Sequence, residues 1–164
     1  MKIVNLLYIA PLAMLSVFLK SCLTAEAPIY CIYLHNQTNE ELYTMYKWDS
    51  EYRGQYIKVN RLSEDSSMYG SMKVIPDGHH TLWCFSEKPE AFFNSTDTLS
   101  IFILDKEEYE GKTWSQLVDS AHFRQIYHLS GDDIRLIGTT IPYPPSEIMR
   151  NMVMVPSYEE AVKQ

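Results

Sequence analysis

The sequence predicts a mainly β domain, a small two-layer β-sandwich with two short helices at its edge. Three observations lead there. Short runs rich in β-branched and aromatic residues recur from residue 29 to residue 143, clusters of Asn, Pro and Gly separate them, and two runs are apolar on both faces. One sheet face would leave too much of this apolar surface in water, so two packed layers are expected. The alternative is an α+β arrangement, a sheet covered on one face by helices. A length of 164 residues with 46% hydrophobic content fits one packed domain rather than several, and excludes wholesale disorder.

Taken in order, residues 29–34 (IYCIYL) read as a central strand that runs into the turn-forming Asn36-Gln37-Thr38-Asn39. Residues 42–48 (LYTMYKW) read as its antiparallel partner, with Leu42, Thr44 and Tyr46 on one side and Tyr43, Met45 and Lys47 on the other. Together they predict a hairpin. Residues 49–67 are polar and hold at most one short strand. Strand character returns over residues 68–75, and Pro76-Asp77-Gly78 signals a turn in which Gly supplies a positive φ. Residues 80–85 (HTLWCF) then pair back as a second hairpin. Residues 98–104 (TLSIFIL) form the clearest core strand. Thr113-Trp114-Ser115-Gln116 has the spacing of a capping box and opens a helix reaching about residue 122. Residues 124–129 form another strand, Ser130-Gly131-Asp132-Asp133 caps a second helix of about two turns, and residues 139–143 form a last strand stopped by Pro144-Pro145. The total is six or seven strands, and the globular domain spans residues 29–145. Residues 146–164 are a C-terminal tail that either straps across the domain or stays loose.

The N-terminus carries an address. Met1-Lys2 gives a basic start and residues 6–15 (LLYIAPLAML) an unbroken apolar run, short of the roughly 20 residues a spanning helix needs. Leu19-Lys20-Ser21-Cys22 then looks like a bacterial lipobox: a branched aliphatic residue, two positions, and a Cys whose sulfur takes a diacylglyceryl group before the peptide is cut. Ser21 is small enough for the peptidase pocket, while Lys20 departs from the small residue usual at its place. A cut after Ala25-Glu26-Ala27 would put Pro28 first, which blocks ordinary signal peptidase. The expectation is a signal peptide over residues 1–21, lipidation at Cys22, a tether over residues 22–28, and attachment to the membrane through that lipid anchor. Each buried methylene contributes about 0.8 kcal/mol, and more than one chain makes the anchor durable. Losing residues 1–21 removes two lysines and no acid, taking the net charge from −7 to −9. Such a domain is repelled by anionic headgroups and hangs from its anchor. Leu23 in place of Asp favours the outer membrane. A lone Glu26 instead of an acidic run favours its periplasmic face over the cell surface.

Ser100-Ile101-Phe102-Ile103-Leu104-Asp105, Thr113-Trp114, Tyr127-His128-Leu129-Ser130 and Ile137-Gly138-Thr139-Thr140-Ile141-Pro142-Tyr143-Pro144-Pro145 resemble the C-terminal half of small envelope lipoproteins from gut Bacteroidetes. That resemblance covers residues 100–145 and the lipobox. It implies a bacterial envelope lipoprotein and no particular activity.

An excess of 21 acids over 14 Lys and Arg argues against nucleic acid as a partner. No G-x-S-x-G elbow, G-x-G-x-x-G or P-loop occurs, so neither an enzyme nor a cofactor is expected. Cys31 and Cys84 both fall on strands; they form either a disulfide or two buried free thiols. His79 and His80, with Asp77 and Cys84 nearby, point to opposite faces of a strand and read as a solvated turn, not a metal site. Glu107, Glu108 and Glu110 read as a solvated face, and His122 and His128 carry no argument. Asn36-Gln37-Thr38 and Asn94-Ser95-Thr96 match the N-glycosylation sequon, which is idle in a bacterium. Tyr43, Tyr46, Trp48, Tyr52 and Tyr56 are the densest aromatic cluster. They either fill the core and cross-strand pairs or offer ring faces to a sugar. The function expected is a non-catalytic, lipid-anchored module presenting a β-rich domain to a protein partner, with glycan binding through the Tyr43 to Tyr56 region as the alternative.

Overall fold

The computed structural model describes residues 29–49, 61–86, 88 and 97–163. Among them are eight strands: β1 (Tyr30–Asn36), β2 (Leu42–Asp49), β3 (Gly70–Val74), β4 (Gly78–Phe85), β5 (Thr98–Asp105), β6 (Gln125–Ser130), β7 (Thr140–Tyr143) and β8 (Val153–Val155). The short helices are α1 (Lys106–Tyr109), α2 (Trp114–Ser120), α3 (Gly131–Ile137) and α4 (Tyr158–Ala161). The strands form a three-stranded sheet in the order β4-β1-β7 and a five-stranded sheet in the order β3-β2-β5-β6-β8.

The β-sandwich expected from the sequence is present, and its main core lies between the sheets. Ile32, Leu34, Leu82 and Ile141 of the smaller sheet meet Leu42, Val74, Ile101, Ile103, Tyr127 and Leu129 of the larger one. The larger sheet is covered on its other face as well. Met45, Phe102, Leu104 and Ile126 pack there under Leu62 and Leu117, with Trp114, Val118 and Phe123 around them. Helix α2 therefore lies on the back of a sandwich, so the two alternatives read from the sequence are combined. Strand β5 is the middle of this stack and its first seven residues are all buried, which is why residues 98–104 are apolar on both faces.

Both predicted hairpins are corrected. Strand β1 does not pair with β2, nor β3 with β4. Instead β1 pairs with β4 and β2 pairs with β3, antiparallel in each case. Partners Asn36↔Gly78 and Leu42↔Val74 flank the break, so the chain forms one long two-stranded ribbon bent in the middle. The turn-forming residues mark the bend, where both arms pass from one sheet to the other, rather than a reversal. Asn36 pins it. Its fully buried amide donates to the carbonyls of Glu40 (2.8 Å) and Ile75 (3.2 Å), one on each arm, and its oxygen accepts from the Thr38 amide and hydroxyl. The Asp77 amide donates to the Thr38 carbonyl across the same bend. The positive φ falls on Asp77 (47°) rather than Gly78, a conformation Asp tolerates. Gly78 is needed for close approach, since a Cβ there would sit 2.7 Å from Ile75 Cγ1 and 2.9 Å from His80 Nε2.

Both capping boxes form as read. Thr113 and Gln116 cap α2, and Ser130 and Asp133 cap α3. Residues 146–163 are not a tail outside the domain. Strand β8 pairs with β6, and Met149, Met152 and Met154 are buried in the main core. The domain therefore extends past residue 145, because three methionines on this segment find the apolar gap at the sheet edge.

Candidate functional site

The bend sets up one end of the sandwich, and a cleft opens there. Strand β1 enters at Tyr30, paired with Phe85, and reaches the bend at Asn36. Strand β5 runs the same way, since Leu42, just after the bend, pairs with Asp105. Strand β7 runs parallel to β1 and sets Tyr143 against Asn36. The ends of β5 and β7, the start of β6 and the bend itself enclose a cleft of about 670 Å³, with Asn39, Glu40, Asp105, Arg124, Tyr143 and Pro144 on its walls.

Arg124 organises it. The backbone amide of Arg124 donates to Ile103 O at 2.8 Å, which fixes the residue beside β5. Its guanidinium pairs with Glu40 through Nη1 and with Asp105 through Nε. Burial works against the charge on Arg124, but Glu40, Tyr143 and Asp105 outweigh it and raise its pKa. Burial also holds the Tyr143 hydroxyl above its ordinary pKa, an effect that Arg124 partly offsets. One cation set between two carboxylates and a phenol is a rigid strut. It leaves the wall with a net negative charge, and Glu40 with 57% of its side chain exposed. Chemically this suits donors from a ligand, such as amine, guanidinium or amide N–H groups, rather than a proton transfer of its own. A second cleft, of about 660 Å³, lies between Leu62 and Phe123, where the described chain resumes after residue 60.

The residues singled out from the sequence fall elsewhere. Cys31 and Cys84 are directly opposed on β1 and β4 and joined in a disulfide, with Cα atoms 4.0 Å apart. Cys84 is exposed and Cys31 half-buried, so the buried free thiol reading does not hold. Cys22, Tyr52 and Tyr56 lie outside the described residues. The other three aromatics do not share a surface. Tyr43 stacks on Tyr109 with centroids 4.4 Å apart and donates to Glu110 at 2.9 Å. Tyr46 and Trp48 project from the opposite face of β2 and pack against the main core. The ring of Tyr46 lies over Gly70, where a Cβ would come within 2.2 Å of it, and meets Trp83 edge-on at 6.2 Å.

His79 and His80 diverge as alternation requires, and His80 Nε2 accepts from the Ile75 amide at the bend. Among the described residues no group of three His, Cys, Asp or Glu side chains is placed to hold a metal ion. Glu108 and Glu110 form ion pairs with Lys112 and Lys106 beside α1. His128, which carried no argument in the sequence, lies 2.9 Å through Nδ1 from Ser100 Oγ. Both are more than nine-tenths buried, so the pair ties β5 to β6 and does not face solvent. Asn36 of the first sequon is a buried structural pin. Compared with family profiles, curated proteins and solved structures, the chain matches none.

Proposed function

We propose that this chain is a non-catalytic lipoprotein of the bacterial outer membrane, anchored through Cys22, whose β-rich domain binds a protein partner at the cleft beside Arg124. One observation carries the reading: of three cysteines, Cys31 and Cys84 are bridged, so Cys22, at the close of the apolar run, is left outside the pair. A bridge at partly exposed positions suits an oxidising compartment. The remaining sulfur then has the place and surroundings that acylation requires. Among the described residues no helix is long and apolar enough to cross a membrane.

The proposal also carries an expected orientation for the anchored domain. The tether joins the chain at the start of β1, and the cleft lies at its far end, six residues further on. At ~3.3 Å per residue the cleft stands about 20 Å beyond the point of attachment. In this reading the cleft lies on the side away from the bilayer, open to an incoming partner. The test is metabolic labelling with a palmitate analogue in cells producing the wild-type chain or Cys22→Ala. Label and membrane fractionation in the wild type, both lost in the variant, are expected. Label that persists in the variant refutes the assignment.

A further inference from the structure

On the outer face of the smaller sheet, at the bend end of β1 and β4, His35 and His79 occupy directly opposed positions. Side chains alternate along β1, so Cys31, Tyr33 and His35 turn outward while Ile32, Leu34 and Asn36 are buried. The two imidazoles stack with centroids 3.9 Å apart and an interplanar angle of 12°. Gln37 Nε2 lies 3.4 Å from His35 Nδ1, and Asp77 Oδ1 lies 3.8 Å from His35 Nε2. On the other flank of β1 the opposing residue is Pro142 of β7, which brings no charge.

Stacking of two imidazoles is a modest gain for a pair on the outer face of a sheet, whereas rings on directly opposed strand positions can turn to share an ion. We propose that His35 and His79 form a two-imidazole site for a divalent transition metal, with Cu(II) the preferred ion. Torsions about the imidazole bond are broad, so counter-rotation of the stacked rings brings one nitrogen of each to a common point. Imidazole donors and a site left open to water suit tetragonal Cu(II), which also heads the affinity order of the divalent ions. Zn(II) in a closed tetrahedral site asks for four ligands, which this face does not provide. The exposed carboxylate of Asp77 accepts a hydrogen bond from a metal-bound water. The Gln37 amide, turned to present its oxygen, holds the Nδ1–H tautomer of His35 and leaves Nε2 to the metal. The site clips β1 to β4 at one end of their pairing, as the Cys31–Cys84 bridge does at the other. It rests on nothing in the anchoring proposal.

The experiment uses the full-length chain purified in detergent with affinity tags removed, titrated with Cu(II) against a competing chelator and followed by electron paramagnetic resonance. One ion per chain with hyperfine coupling to two nitrogens is expected. His35→Gln and His79→Gln should each weaken binding by more than about a hundredfold, the upper end of what loss of an outer-shell partner costs, while His122→Gln leaves it unchanged. His79 is exposed and His35 partly so, and circular dichroism verifies the fold of each variant. Coupling to a single nitrogen, or binding undiminished in the His35→Gln/His79→Gln double variant, identifies an adventitious ion only and overturns the proposal. So does an absence of stoichiometric binding in the wild-type chain.

Discussion

Replacing both Cys31 and Cys84 by Ala removes a cross-link and little else, because neither side chain is fully buried. The bridge closes a sequence separation of 53 residues. In the chain-entropy account this restricts the unfolded ensemble by about 4 kcal/mol at 25 °C. For a domain of this size the loss corresponds to a fall in Tm of roughly 10–15 °C. Thermal unfolding followed by circular dichroism should show that fall in Cys31→Ala/Cys84→Ala, and the same fall when the wild-type chain is scanned with reductant. Cys22→Ala, which keeps the bridge, should match the wild-type Tm without reductant and show the same fall with it. A double variant within about 1 kcal/mol of wild type would mean that the strand pair is already held as tightly by its ladder and by Asn36. The reasoning from loop closure would then fail.

Three further outcomes follow from the packing. Asn36→Ala strips from both arms of the bend the hydrogen bonds that this buried amide makes to the carbonyls of Glu40 and Ile75; a loss of about 2–3 kcal/mol is expected by urea denaturation. Ending the chain at residue 145 removes β8 and the three core methionines. At ~2–5 kcal/mol for each such side chain, the truncated chain should lack a cooperative transition, and a sharp one would contradict its place in the core. Burial holds the hydroxyls of Tyr127 and Tyr143 protonated above their ordinary range. The unfolded chain gives up these protons near pH ~10 while the native one keeps them, so this contribution is intact below that pH and declines above it. Urea midpoints measured from pH 8 to 11 should be level and then drop, less steeply in Tyr127→Phe.

Local chemistry was readable from residue order and long-range pairing was not. The caps at Thr113 and Ser130 depend on side chains three residues apart, so their spacing alone placed α2 and α3. Residues 98–104 declared β5 because burial on both faces leaves no polar alternation. The division of the strands between sheets was hidden, since Asn36-Gln37-Thr38-Asn39 and Pro76-Asp77-Gly78 favour a change of direction without saying whether it is a reversal or a bend. Strand β8 is three residues long, below the length at which alternation can be seen. The cleft was hidden for another reason. Glu40, Asp105 and Arg124 are far apart in sequence and meet through the register that sets Leu42 against Asp105. An arginine at the mouth of a strand opposite an acid ending another was the one available hint.

The placing of the disulfide has a mechanical consequence. Tension applied at the N-terminal end of the chain enters β1, which is flanked by antiparallel β4 and parallel β7. Such a load shears both ladders at once instead of peeling them open bond by bond. One residue into β1, the covalent link at Cys31 hands the force to β4 as well. Tugging therefore draws on two strands of the smaller sheet together before it can disturb the far end of the sandwich.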